Sequence, residues 1–187
     1  MPADQALPVL VEPWASFLSE VDTMLDERVQ IHCLGGFVVT VLHRVPRATR
    51  DIDYVEVIPR EFGSRLEEIA GMESALAKRY GLYLQRVGVA DLPEDYDTRL
   101  TDAFPGRFSR LQILALDVYD VILGKLTRNH RRDRDDVQAL ASMLGLSATV
   151  LRERYEREMR PWIPNAERHD LTIKLWVEEF FEKPETT

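Results

Sequence analysis

The sequence predicts an α/β (α+β) protein in which a sheet core is continued by C-terminal helices. Three observations carry that prediction: short β-rich segments alternate with stretches of helical period, a Gly-Gly pair stops the first β-rich segment, and the chain after about residue 117 is helical in pattern. The 187 residues are 45% hydrophobic and 30% charged, enough for one sizeable core and against a disordered acidic tail. The formal net charge of −8 excludes wholesale coating of nucleic acid, so a nucleotide or polyanion site has to be a local basic patch. No apolar run approaches the ~20 residues of a membrane span, and the start MPADQALPVL lacks the basic and apolar regions of a signal peptide. A cytoplasmic location without a membrane partner is therefore expected. A single cysteine, Cys33, permits no internal disulfide, and His32, His43, His130 and His169 stand apart without zinc-type spacing.

Trp14, Phe17, Leu18, Val21 and Leu25 recur at helical spacing and predict a first helix behind Pro13. Val29 to Leu34 reads as a buried strand stopped by Gly35-Gly36, and Phe37 to Val45 as a helix ended by Pro46. Ile52 to Ile58 is the second strand, closed by Pro59. Glu61 to Tyr80 reads as one helix, with Gly81 placed where a helix end favours a left-handed residue. Leu82 to Val89 and Arg110 to Leu116 are the third and fourth strands, and the polar stretch between them, DLPEDYDTRLTDAFPG, reads as a loop. Helices are expected from Val118 to Leu126 and from about Arg134 to Leu144, then from Ala148 to Arg160 behind a Ser147 cap. Glu153/Arg157 and Glu156/Arg160 would pair along that helix, and a last helix opened by Pro164 would present Leu171, Leu175, Phe180 and Phe181.

The segment that bears chemistry is Leu34-Gly35-Gly36, followed after the 14 residues from Phe37 to Arg50 by Asp51-Ile52-Asp53 at the head of a strand. Residues i and i+2 of a strand point to the same side, about 6.6 Å apart. Asp51 and Asp53 therefore share a face while Ile52 packs behind them. Two adjacent carboxylates repel, and their natural partner is a hard divalent cation shared with phosphate oxygens. A glycine turn beside them lets backbone approach an anion closely.

A second cluster, Lys125 to Val137, gathers charge at the junction of two helices. Residues 125–134 carry net +4 and residues 44–50, with Arg44, Arg47 and Arg50, carry net +3, leaving −15 for the rest of the chain. Positive charge is thus confined to the neighbourhoods of the two motifs, as a site for a triphosphate or a short nucleic-acid backbone segment requires. Asp133 would cap the helix, with Asp136 at its third position and Arg132 paired to Asp136. Cys33 reads as a small buried residue and His32 as a strand residue without partners. Tyr54 and Tyr119 read as core aromatics.

GG…TRDID, followed by DVILGKLTRNHRRDRDDVQALA, resembles the minimal nucleotidyltransferase-fold proteins, in particular the DUF6036 group and more distantly the AbiEii-type toxins. The resemblance runs over about residues 29–144. It implies a small mixed sheet flanked by helices within a core of residues 1–144; residues 145–187 lie outside it and read as a C-terminal helical extension that packs on the core or binds a partner. It also implies roles: Asp51 and Asp53 as metal ligands and, with Lys125, as catalytic groups; Gly35, Gly36, Arg47, Thr49, Arg128 and Arg132 as nucleotide and phosphate binders; Asn129, Asp133 and Asp136 in support. The implied cofactor is Mg²⁺ or Mn²⁺, the substrate an NTP, the acceptor an RNA or protein hydroxyl, and the toxin relatives add a cognate antitoxin as partner.

This sequence departs from the pattern in three places. Phe37 stands where a serine often follows the glycines, the linker to Asp51 is slightly long, and the strand GLYLQRVGV has no third carboxylate of the kind polymerase-like members use for a second metal. Asp91, Asp117 and Asp120 are the candidates to replace it. The first functional expectation is a metal-dependent nucleotidyltransferase. A non-catalytic nucleotide- or partner-binding module on the same fold is the alternative, and a metal-dependent nuclease the weaker one.

Overall fold

Helix α1, Trp14–Met24, buries Trp14, Phe17, Leu18 and Val21, the face its periodicity requires. Strand β1, Val29–Leu34, is buried along almost its whole length and runs into a three-residue helix α2, Gly35–Phe37, continued by a π-helical turn, Val38–Leu42. Strand β2 is Asp51–Ile58. The structure, a computed structural model, describes residues 10–182. Most of the amino-terminal segment read for a signal peptide, and the last residues of the 145–187 extension, lie outside the described residues. The chain falls into two compact units, one reaching Val89 and including Leu100–Leu116, the other comprising Ala90–Arg99 and everything from Asp117 onward. The second unit thus groups the helices between residues 117 and 144 with those after them.

In the first unit a five-stranded mixed sheet has the order β3-β2-β1-β5-β4, the small mixed sheet expected. β1 is antiparallel to β2 and parallel to β5, β2 is parallel to β3, Tyr83–Arg86, and β4, Thr101–Asp102, is antiparallel to β5, Leu111–Ala115. β4 forms inside the stretch read as a loop, which also holds a 3₁₀ turn, Tyr96–Arg99. A two-residue strand has no periodicity to read, and only pairing with β5 creates it.

The single helix expected over 61–80 is instead a 3₁₀ turn, Arg60–Phe62, then α3, Gly63–Ala70, and α4, Ala75–Tyr80. Gly71 takes an extended conformation at the break, and a Cβ there would lie 2.5 Å from the Glu67 carbonyl oxygen. Ser74 restarts the helix by accepting the Ala77 N–H at 3.0 Å. Gly81 is left-handed, as expected. The core aromatics form an edge-to-face series from Trp14 to Phe37 (5.0 Å between centroids) and on to Phe104 (6.3 Å). Cys33 is fully buried, and burial pushes its thiol pKa up. His32 has a partner after all, with the Gln30 side-chain nitrogen 2.8 Å from its Nε2.

The second unit contains α5, Val118–Leu123, capped by Asp117; α6, Arg131–Leu144; α7, Ala148–Arg154, capped by Ser147; and α8, Glu167–Trp176. α7 and α8 each continue into a π-helical turn, Tyr155–Met159 and Val177–Phe181. α6 begins three residues earlier than expected, because His130 rather than Asp133 is the N-cap and Asp133 accepts the His130 N–H from the third position. The basic residues 131 and 132 have no apolar period of their own, so the sequence pattern starts late. Arg160 pairs with Asp170 through two hydrogen bonds of 2.8 and 2.9 Å, and Arg157 with Glu158, in place of the pairs expected along α7. α8 starts three residues after Pro164 and buries Ile173 and Trp176, leaving Leu171 and Leu175 exposed. Tyr119 is half-buried, accepts the Ser147 N–H and carries the Arg154 guanidinium over its ring.

The firmest polar anchor of this unit is Asp120, which is 0% exposed. It accepts two hydrogen bonds from Arg99 (3.0 and 3.1 Å) and one from Arg154 (2.9 Å), while Arg99 also donates to Glu158 at 2.7 Å. Removing one member of a buried ion network leaves its partners uncompensated. Asp120→Ala is expected to destabilise the protein by about 3–5 kcal/mol in chemical denaturation, and Asp120→Asn, which keeps the shape and one of the two acceptor oxygens, by less.

In the first unit, Asp22 of α1 accepts backbone N–H groups of Ser109, Arg110 and Leu111 at 3.1, 2.7 and 2.7 Å. Partial burial raises its pKa, but these bonds and the Arg110 charge outweigh that and hold it below the usual carboxylate value. A depressed folded pKa contributes stability that is complete above the unfolded value of about 3.9 and is lost as pH falls through the folded value. Asp22→Asn is expected to cost about 1 kcal/mol at pH 7, and pH-dependent thermal unfolding should show the gap to wild type closing below about pH 4.

Candidate active site

The two carboxylates of Asp51-Ile52-Asp53 open β2, with Ile52 fully buried and both aspartates part-exposed on the opposite face. Strand alternation alone produces this arrangement. Antiparallel pairing sets Asp53 opposite Leu34, the last residue of β1, so the turn that follows β1 is delivered to the Asp53 side chain. Gly35 turns there with φ +71°, a left-handed conformation, and an added Cβ would overlap the Asp53 carboxylate. A Cβ on Gly36 would stand 2.7 Å from the Thr49 hydroxyl and 3.1 Å from an Arg47 guanidinium nitrogen. Thr49 in turn donates its hydroxyl to Asp51 at 2.8 Å. The structure therefore brings Gly35, Gly36, Arg47, Thr49, Asp51 and Asp53 into one place within the first unit.

Phe37, the residue that departs from the expected serine, is fully buried and packs edge-to-face on Trp14. Its side chain pins the glycine turn to the core. The slightly long linker closes through Val45, which is buried, and through a left-handed Arg44.

Sequence reading missed Tyr83 and Gln85. The parallel register pairs Asp51 with Tyr83 and Asp53 with Gln85, which sets all four residues on one face. Partial burial, then the charges of Asp51 and Asp53, raise the Tyr83 phenol pKa, which keeps it neutral beside them. Only the β2–β3 register could have revealed this, and no local pattern encodes it. β3 itself, Tyr83–Arg86, contains no carboxylate.

The second cluster belongs to the second unit. Lys125, expected beside phosphate, is turned inward, 3% exposed, with its ammonium 2.8 Å from Asp136 and 3.4 Å from Asp133. Arg128 donates to Asp133 at 2.9 Å from a largely exposed position. Asn129 is left-handed, a conformation asparagine tolerates, and accepts from Arg134; Arg132 is exposed. Lys125, Asp133 and Asp136 thus form a buried ionic knot that ties the segment after α5 to the start of α6. The three aspartates considered as a third carboxylate all lie in this unit with partners: Asp91 accepts from Thr127, Asp117 from Arg154 and the Tyr119 N–H, and Asp120 from Arg99 and Arg154.

Among the described residues no group of three or more His, Cys, Asp and Glu side chains is arranged to hold a metal ion. Protein donors to a cation at β2 would be the Asp51 and Asp53 carboxylates, hard oxygens suited to Mg²⁺ or Mn²⁺ with substrate oxygens and water completing the shell. No helix among the described residues is long and apolar enough to cross a membrane.

A family model described as a nucleotidyltransferase of unknown function, DUF6036, matches residues 15–183. The match extends beyond the 29–144 segment of the motif resemblance at both ends, taking in α1 and the helices after residue 144. No curated protein and no solved structure matches the chain. With the match spanning nearly its whole length, the chain belongs to the DUF6036 family of nucleotidyltransferases.

Proposed function

We propose that the protein is a divalent-cation-dependent nucleotidyltransferase that moves a nucleoside monophosphate from an NTP to a hydroxyl of RNA or protein. The observation that carries this reading is the close approach of the Gly35-Gly36 turn to Asp53, Thr49 and Arg47. Backbone free of Cβ atoms beside two carboxylates and a guanidinium suits a polyphosphate met by a metal. Asp51 and Asp53 would hold Mg²⁺ or Mn²⁺, which when bound supplies charge neutralisation at the phosphates. Thr49 orients Asp51 through its hydrogen bond. Arg47 stabilises negative charge on the leaving pyrophosphate, and the glycine turn lets the triphosphate lie against backbone. The acceptor hydroxyl oxygen attacks the α-phosphorus, the bond from that phosphorus to the bridging oxygen breaks, pyrophosphate departs, and the hydroxyl proton passes to water.

A second reading, a nucleotide-binding module without turnover, is supported by the neutral Tyr83 and Gln85 on the strand beside the carboxylates. Kinship with toxins, and with it a cognate antitoxin, remains part of the proposal only through the motif resemblance.

Incubation with each α-labelled NTP, Mg²⁺ or Mn²⁺, and cellular RNA and protein separates the two readings. Label transferred by the wild type and lost in Asp51→Asn and Asp53→Asn establishes transfer and its acceptor. Metal-dependent nucleotide binding without transfer favours the module. Each asparagine variant is expected to lose at least about a hundredfold in transfer rate while retaining its circular dichroism. Full activity in either variant would overturn the assignment of the metal ligands.

Gly36→Ala is expected to lower activity about tenfold or more with little loss of stability, because its methyl group must displace Thr49 or Arg47. Gly88→Ala, where a Cβ would meet nothing within 4 Å, is the control and should leave steady-state kinetics unchanged.

A further inference from the structure

A cavity of the first unit, about 460 Å³, lies at the end of the sheet away from the carboxylate pair, where β1 and β5 begin and β2 ends. From Asp51 to Ile58 the strand carries it about 23 Å away from the carboxylate pair. Its volume falls in the range of small-molecule sites, about 300–1,000 Å³. Phe104 and Phe108 meet edge-to-face at 6.2 Å and, with Ile58, which is 46% exposed, give it an apolar wall.

The rim carries two guanidinium groups against one carboxylate, Asp102. Arg28 and Arg110 both line the cavity, both are exposed, and neither forms an ion pair with a carboxylate of the described residues. Asp102, the acidic residue of the lining, is already engaged: one oxygen accepts the Phe104 N–H at 3.0 Å and the other the Gln112 amide at 3.1 Å. Asp22, which feels the Arg110 charge, spends its oxygens on the N–H groups of residues 109–111. Those bonds also fix the loop that carries Phe108 and Arg110, so the walls are held before any ligand arrives.

We propose that this cavity binds a small aromatic carboxylate, its ring against Phe108 and Ile58 and its carboxylate taken by Arg28 and Arg110. Guanidinium groups match carboxylate geometry, and a planar ring fits an edge-to-face phenylalanine pair. The inference is independent of the nucleotidyltransferase reading.

The test titrates naphthalene-2-carboxylate into the ¹⁵N-labelled full chain and follows amide shifts. Saturable shifts confined to residues 28–30, 58 and 104–112 are expected, with affinity at least about tenfold weaker in Arg28→Ala/Arg110→Ala and for the neutral naphthalene-2-methanol. Asp51→Asn/Asp53→Asn should bind the probe as the wild type does, so a failed transferase assay leaves this result standing. No saturable shift at these residues, or an affinity unchanged by loss of both arginines or of the probe's charge, overturns the proposal.

Discussion

The first unit is organised around the contact between the backbone of Gly35 and the carboxylate of Asp53. A left-handed turn at the end of β1 and the first residues of β2 occupy the same small volume, and no side chain larger than hydrogen fits at residue 35. Around that constraint the other pieces fall into order. The antiparallel register delivers the turn to Asp53, Thr49 restrains Asp51, and Phe37 inserts into the aromatic core immediately after the glycines. The glycine turn and the two carboxylates of the candidate active site are therefore backbone and short side chains fixed by the sheet, which favours precision over reach.

The second unit relies on a different economy. Its central positions are occupied by ions: Asp120 between two arginines, and Lys125 between two aspartates. Buried pairs of this kind add little net stability compared with an apolar replacement, but losing one member costs a great deal. They fix the connection of α5 to α6 and of the 96–99 turn to the π-helical turn after α7 in a way apolar packing alone would leave freer. The basic run 125–134, which in sequence looks like one patch, is in the structure split between an inward lysine and outward arginines.

Strands β1 and β2 were legible because buried β-branched runs bounded by Gly-Gly and Pro have few alternative readings. The same holds for the glycine turn and the shared face of Asp51 and Asp53, which follow from strand alternation. What local pattern could not carry was anything set by pairing partners. β4 exists only because β5 offers it an edge, and Tyr83 reaches the carboxylates only through the β2–β3 register. The break at Gly71 was hidden because apolar residues continue in helical period across it. The charge of Lys125 is plain in the sequence, whereas its environment is decided by Asp133 and Asp136, eight and eleven residues away.

Phe37 joins the glycine turn to the aromatic series Trp14, Phe37 and Phe104. Loops that order only when a ligand arrives surrender conformational entropy at that moment and weaken binding accordingly. Here that entropy is already lost when the protein folds, because the residue after the glycines is part of the core. The backbone of the Gly35-Gly36 turn inherits the rigidity of the hydrophobic interior, because Phe37 cannot leave the core without breaking the aromatic series.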